Sequence, residues 1–295
     1  MLRWLRTMLE LVRFSHTVYA LPFALISATM ATVADLRDGA RIRPLDWLGI
    51  LACMVFARTT AMAFNRLVDR HYDAQNPRTA GRHLPRGTVT PGQVKALILG
   101  SSALFIASCF LFVASNNNWL PVLLSVPVLI FICGYSYAKR FTALAHVWLG
   151  ASLMLAPIAA WIAIRGTVEW PPVVLGLAVL FWVSGFDIIY ACQDTEFDRR
   201  VGLHSLPARV GVKNALRISA ALHVLTVVFL ALLPVTFPLG VIYTIGVVGI
   251  AVLLAYEHWI VRPDDLTRVN VAFFNVNAIV SLGMLLVTWL DLAVG

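Results

Sequence analysis

Asn65, Asp69 and Asp73 recur every four residues, so on a helix their side chains stack along one face, a turn apart. The stripe follows a mostly apolar run from Leu48 to Phe64. A ladder of carboxylates where an apolar helix meets water is costly unless something positive sits on it. Mg²⁺ suits it, because that ion prefers oxygen ligands and is typically held by one or two carboxylates plus substrate phosphates. A second ladder, Asp194-Thr195-Glu196-Phe197-Asp198, follows the apolar run that ends at Ala191. Two such ladders in one apolar chain point to a diphosphate held through metal between them.

Each ladder has a charged residue seven positions before it. Arg58 precedes Asn65 by almost two helical turns, on the same face and deeper by about 10 Å. Its planar fork suits a carboxylate or a phosphate, with an internal salt bridge as the structural alternative. Asp187 precedes Asp194 in the same way, and could pair with Arg58, orient a phenolic hydroxyl or take up a proton. Tyr135, Tyr137, Lys139 and Arg140 close another apolar run. Tyrosine followed by basic residues is ordinary interfacial anchoring, but a departing diphosphate also needs direct cations. Arg66, Arg70, Arg78, Arg82, Arg199 and Arg209 add to that basic pool.

The elements that must position these residues are membrane helices. Of the 295 residues 60% are hydrophobic and only 13% are charged, whereas a soluble domain is about half apolar and a quarter charged. The pattern predicts an all-α integral membrane protein, a single bundle of about nine transmembrane helices. Runs of about 20 apolar residues fall near 14–34, 46–64, 93–114, 119–137, 143–164, 171–190, 215–233, 238–256 and 269–290. Links of a few residues, several with proline or asparagine, make neighbouring spans antiparallel and predict one membrane-embedded domain over 1–295. Its Asp-rich cytoplasmic loops are expected near 65–92 and 192–213. Met1 to Arg13 reads as a basic, amphipathic lead-in lying at the interface.

The net charge of +8 reflects topology and not nucleic-acid binding. With a cytoplasmic N-terminus, eighteen of the 23 Lys and Arg fall on the cytoplasmic side, while Arg37, Arg41, Arg43 and Arg165 fall opposite and Arg58 lies within a span. That asymmetry is a strong positive-inside signal. It places both ladders on the cytoplasmic side, where a site built from them is expected. Cys53, Cys109, Cys133 and Cys192 stand singly in apolar stretches, as small core- or lipid-facing residues. His83-Leu84-Pro85-Arg86-Gly87 after the first ladder is echoed by His204-Ser205-Leu206-Pro207-Ala208-Arg209-Val210-Gly211 after the second, as in two diverged copies of one helix–loop unit.

With these residues in view, the chain resembles the UbiA superfamily of membrane aromatic prenyltransferases. Asn65, Asp69 and Asp73 match that family's N-(D/Q)-x-x-D-x-x-x-D motif after the second span, and Asp194 and Asp198 its D-x-x-x-D motif after the sixth. Arg78-Thr79-Ala80-Gly81-Arg82-His83-Leu84-Pro85 looks like the R-T-x-x-R-P-L-P continuation, with His83 replacing proline. Tyr190 matches the tyrosine ahead of the second motif, and Arg58 and Asp187 fall where members carry an intramembrane arginine and aspartate. Arg66 departs from the usual Asp or Gln. The Asn-Arg pair, after Ala61-Met62-Ala63-Phe64, is similar to a 4-hydroxybenzoate polyprenyltransferase-like branch.

The resemblance implies transfer of a polyprenyl group from polyprenyl diphosphate to 4-hydroxybenzoate in quinone biosynthesis. The alternative acceptor is 1,4-dihydroxy-6-naphthoate of the futalosine menaquinone route. It further implies two Mg²⁺ ions held by Asn65, Asp69, Asp73, Asp194 and Asp198, with Lys139 facing the departing pyrophosphate. Arg58 would fix the acceptor's carboxylate and Asp187 would orient its hydroxyl or assist proton removal. Asn65, Tyr135, Lys139, Arg140, Tyr190, Arg78, Arg82 and Arg209 complete the expected substrate-binding set, and the prenyl tail would lie open to membrane lipid. A cation-coupled transporter is the competing reading, and it requires helices broken near the bilayer midplane.

Overall fold

The computed structural model describes Thr7, Glu10, Leu11 and residues 19–294; most of the expected interfacial lead-in lies outside the described residues. The long elements are α1 (Leu21–Arg37), α2 (Pro44–Gln75), α3 (Pro91–Asn116), α4 (Leu120–Ala138), α5 (Ala145–Arg165) and α6 (Trp170–Ala191). The short α7 (Thr195–Val201) and α8 (Leu206–Val210) follow, and then α9 (Val212–Thr236), α10 (Val241–Ile260) and α11 (Asn277–Val294). Eight helices among the described residues are long and apolar enough to cross a membrane. The sequence led to nine. The difference is α1, whose 17 residues represent the first expected span; residues 14–18 lie outside the described part. The chain is a multi-pass, all-helical membrane protein.

Proline marks helix starts for a physical reason. The first four N–H groups of a helix have no intrahelical acceptor, so a residue without one is tolerated there. Pro44, Pro91 and the Pro171-Pro172 pair all sit in first turns. At α3 the entry is reinforced by a capping box, in which Thr90 Oγ1 accepts from the Gln93 N–H and Gln93 Oε1 accepts from the Thr90 N–H.

Contacts gather the described residues into two compact units, 43–137 with Thr7, Glu10 and Leu11, and 19–42 with 138–294. In the first, α2 packs along α3, tied by the buried Thr60–Ser101 hydroxyl pair at 2.7 Å. Cys53 and Cys109, which the sequence shows only as scattered single cysteines, meet across the same contact with Sγ atoms 3.8 Å apart. Ala63, Leu84, Val89 and Val94 form a small core beneath the link from α2 to α3.

In the second unit α6 packs against both α5 and α9. It is apolar around most of its circumference and mostly buried, as a central helix must be. Gly150 lets α5 approach it closely: a Cβ there would collide with the Leu180 carbonyl and Ser184 Oγ. Two further polar devices hold the remaining spans. Asp291 of α11 accepts from the N–H groups of Gly240 and Tyr243 at 2.6 and 3.1 Å, capping the start of α10. Arg165 donates to Asp35, Asp38 and Glu169.

Candidate active site

Residues 65–75, expected to open a loop, are instead the last three turns of α2. Backbone hydrogen bonding continues past the point where hydropathy falls, so the ladder is helical as its spacing requires. Asn65 Nδ2 donates to Asp69 Oδ2 at 2.8 Å, a direct i,i+4 contact between two rungs. Arg66 is buried and donates to Asn65 Oδ1 at 3.1 Å. The departure from the family pattern thus lies against the first member of the ladder.

Asp73 is 7% exposed. Its Oδ1 accepts from Arg82 Nη1 at 2.6 Å, and Thr79 Oγ1 donates to its backbone carbonyl. The chain after α2 therefore folds back onto Asp73, and Arg82, expected at the substrate, is engaged with the ladder itself. Asp73 Oδ2 is buried with no hydrogen-bond partner among the described residues. Arg58 and Tyr135 are half-buried on α2 and α4 of the same unit, and Arg78 is exposed in the link.

The second motif is not a loop either. The sixth span runs on through a 3₁₀ turn, Cys192–Asp194, into α7. Thr195 Oγ1 bonds the Cys192 carbonyl at 2.8 Å, and α7 stops at Gly202, whose φ of +74° is a left-handed cap that glycine adopts without strain. Asp194 and Asp198 are both buried, Asp198 at 2%. Lys139 Nζ stands 3.8 Å from Asp198 Oδ2, beyond hydrogen-bond reach, and that oxygen too is buried with no hydrogen-bond partner among the described residues. The Lys139 carbonyl accepts from the His204 N–H at 2.7 Å, which ties Lys139 to the segment after α7. Arg199 Nε bonds the Ala208 carbonyl and so ties α7 to α8. Tyr190 packs its ring on Phe273 with centroids 4.2 Å apart. Arg140 and Arg209 are exposed.

Asp187 has a partner that the sequence did not reveal. Its Oδ2 lies 2.6 Å from Nδ1 of His146, on α5. Nε2 of the same ring accepts the Leu206 N–H at 3.3 Å. His146 is 1% exposed. The one signal in the sequence was a lone polar residue in the first turn of an apolar span.

The donor set fits Mg²⁺. It consists of hard oxygens, and one buried carboxylate oxygen in each motif lacks the hydrogen bond that such an atom requires. Among the described residues no three His, Cys, Asp or Glu side chains converge on one ion position. Mg²⁺ is commonly held by fewer protein ligands, with waters and substrate phosphates completing its shell.

The model of the UbiA prenyltransferase family matches residues 20–279. A 4-hydroxybenzoate octaprenyltransferase from Marinobacter nauticus is 31% identical over 222 residues, covering 75% of this chain and 74% of that protein. The apo structure of a UbiA homolog from Aeropyrum pernix superposes with a TM-score of 0.81 at 31% identity, covering 94% of this chain and 98% of that one. A UbiA homolog from Archaeoglobus fulgidus bound to DMAPP and Mg²⁺ shares the fold, with a TM-score of 0.73 at 19% identity over 98% of this chain and all of that one.

Proposed function

The chain belongs to the UbiA prenyltransferase family, and from that premise we propose that it transfers a polyprenyl group from polyprenyl diphosphate to 4-hydroxybenzoate in quinone biosynthesis. The observation that carries this reading is the pair of buried, hydrogen-bond-deficient carboxylate oxygens, Asp73 Oδ2 and Asp198 Oδ2, one in each Asp motif. The similarity to a 4-hydroxybenzoate octaprenyltransferase supports a hydroxylated aromatic acid as acceptor. The excess of Lys and Arg on the motif-bearing side supports an active site facing the cytoplasm from the inner membrane.

In this mechanism Asn65, Asp69, Asp73, Asp194 and Asp198 hold Mg²⁺. The metal, when bound, neutralises the diphosphate and so eases its departure. Arg82 fixes one oxygen of Asp73, which leaves the other directed to ligation. Lys139, already beside Asp198, supplies a direct cation to the leaving group, with Arg78, Arg140 and Arg209 contributing from exposed positions. The allylic C–O bond breaks and the diphosphate keeps the electron pair. The ring carbon beside the phenolic hydroxyl then bonds the allylic carbon, and loss of its proton restores aromaticity. Arg58 binds the acceptor's carboxylate, Asp187 receives the proton or orients the hydroxyl, and Tyr135 and Tyr190 pack beside the substrates.

The test is transfer of a labelled prenyl diphosphate by the purified protein in lipid nanodiscs to a panel containing 4-hydroxybenzoate and 1,4-dihydroxy-6-naphthoate. Transfer to 4-hydroxybenzoate that stops with EDTA and returns with Mg²⁺ is the expected result. Turnover that survives EDTA, or full activity in an Asp69→Ala, Asp194→Ala double variant, overturns it.

A further inference from the structure

We infer that His146 is a positioning residue for the transfer reaction, holding Asp187 as an oriented proton acceptor while anchoring the segment that follows the second Asp motif. The inference rests on the reading of Asp187 given above, and the geometry adds what that reading lacks.

The hydrogen positions on the ring follow from its partners. The Leu206 N–H can only donate, so Nε2 of His146 must present its lone pair to it. A neutral imidazole then carries its hydrogen on Nδ1, and that N–H points at Asp187 Oδ2 across 2.6 Å. Asp187 Oδ2 is therefore the acceptor of this bond and the ring N–H its donor. With Oδ2 locked in this way, Oδ1 is the oxygen left to meet the acceptor: Asp187 keeps 22% of its side chain exposed, whereas His146 keeps 1%. An imidazole so buried touches no substrate. It acts through Asp187.

The second bond of the ring has its own purpose. Leu206 opens α8, where a backbone N–H has no intrahelical acceptor. His146 supplies one, so a single side chain fixes both the carboxylate on α6 and the start of α8, eight residues past Asp198. Close packing of α5 on α6 at Gly150, one turn beyond His146, sets the distance.

The two bonds can be separated by substitution. Asparagine places an amide N–H where Nδ1 stands and keeps the bond to Asp187, but it does not reach Leu206. Glutamine reaches towards the Nε2 position and keeps an acceptor for Leu206, but loses the donor to Asp187. Leucine fills the space and keeps neither. The experiment is steady-state transfer to 4-hydroxybenzoate by wild type, His146→Asn, His146→Gln and His146→Leu in nanodiscs, with the donor KM and the thermal transition of each recorded.

We expect kcat to fall about 50-fold in His146→Leu and His146→Gln, and to recover to within about threefold of wild type in His146→Asn, with the donor KM unchanged throughout. Recovery in His146→Gln but not in His146→Asn overturns the inference, since the ring would then only anchor α8. So does wild-type kcat in His146→Leu, or an equal loss in all three variants whether or not their thermal transitions fall. Absence of transfer to every acceptor by wild type refutes the proposed function, and the assignment with it. Robust wild-type transfer with any of the other contrary patterns refutes the role of His146 alone.

Discussion

Arg82 donates to Asp73 Oδ1 across 2.6 Å from nine residues further along the chain, so the last carboxylate of the first ladder is oriented by the link that follows its helix. Removing one partner of a buried ion pair costs about 3–5 kcal/mol because the other charge is stranded. Here the Arg82 side chain is about a fifth exposed, and solvent screening reduces the figure to about 2 kcal/mol. Arg82→Ala should therefore raise the half-saturating Mg²⁺ concentration about tenfold and lower the transition temperature. Arg82→Lys should restore stability better than metal affinity, because an ammonium replaces the charge but not the planar fork. Mg²⁺ titration of activity, alongside melting curves, measures both.

Asp198→Asn separates charge from shape. The substitution keeps the volume but removes the anion beside Lys139, which stands 3.8 Å away, and it puts an amide where a buried oxygen lacked a donor. The fold should survive. Transfer should fall at least about 100-fold, the scale of losing one electrostatic contact in a transition state. Stabilisation of the purified protein by inorganic pyrophosphate with Mg²⁺ should disappear as well. A variant that keeps this stabilisation would remove Asp198 from the metal site.

Arg66 gives a third test. It is buried and donates to Asn65 Oδ1, the oxygen that Asn65 would offer to metal in the proposed site. Arg66→Gln retains an amide donor without the charge. It should keep the transition temperature within about 2 °C, the scale of a sub-kcal/mol change, and lower the Mg²⁺ requirement about threefold, because a cation beside the ladder opposes a second one. An unchanged Mg²⁺ requirement would show that the guanidinium lies electrostatically outside the site.

The ladder was readable in the sequence because helical period and ligand spacing coincide: Asn65, Asp69 and Asp73, four residues apart, become neighbours on one helix face. The spans were readable because hydropathy acts over twenty-residue windows. The continuation of α2 to Gln75 was not, because hydropathy registers the membrane boundary and not the backbone hydrogen bonds that cross it. The His146–Asp187 pair was hidden for a different reason. It joins residues 41 apart on two helices, and no periodicity within either helix encodes which turn meets which. Asp291 was hidden likewise: an acid near the end of an apolar span reads as a surface residue until its two N–H partners, about fifty residues earlier, are seen.

Asp291 supplies a stability test independent of catalysis. Its carboxylate accepts from Gly240 and Tyr243 at the start of α10 and is 6% exposed. Replacing an N-terminal helix cap by alanine costs about 0.5–2 kcal/mol. Leaving buried N–H groups without an acceptor adds about 1–3 kcal/mol, so Asp291→Ala should cost about 2 kcal/mol or more. Asp291→Asn keeps one acceptor oxygen and should lose roughly half as much. Melting of the purified protein should show the graded loss, while kcat measured well below the transition stays at the wild-type value. A fall in kcat without a fall in melting temperature would mean that the start of α10 is coupled to the chemistry and not only to the fold.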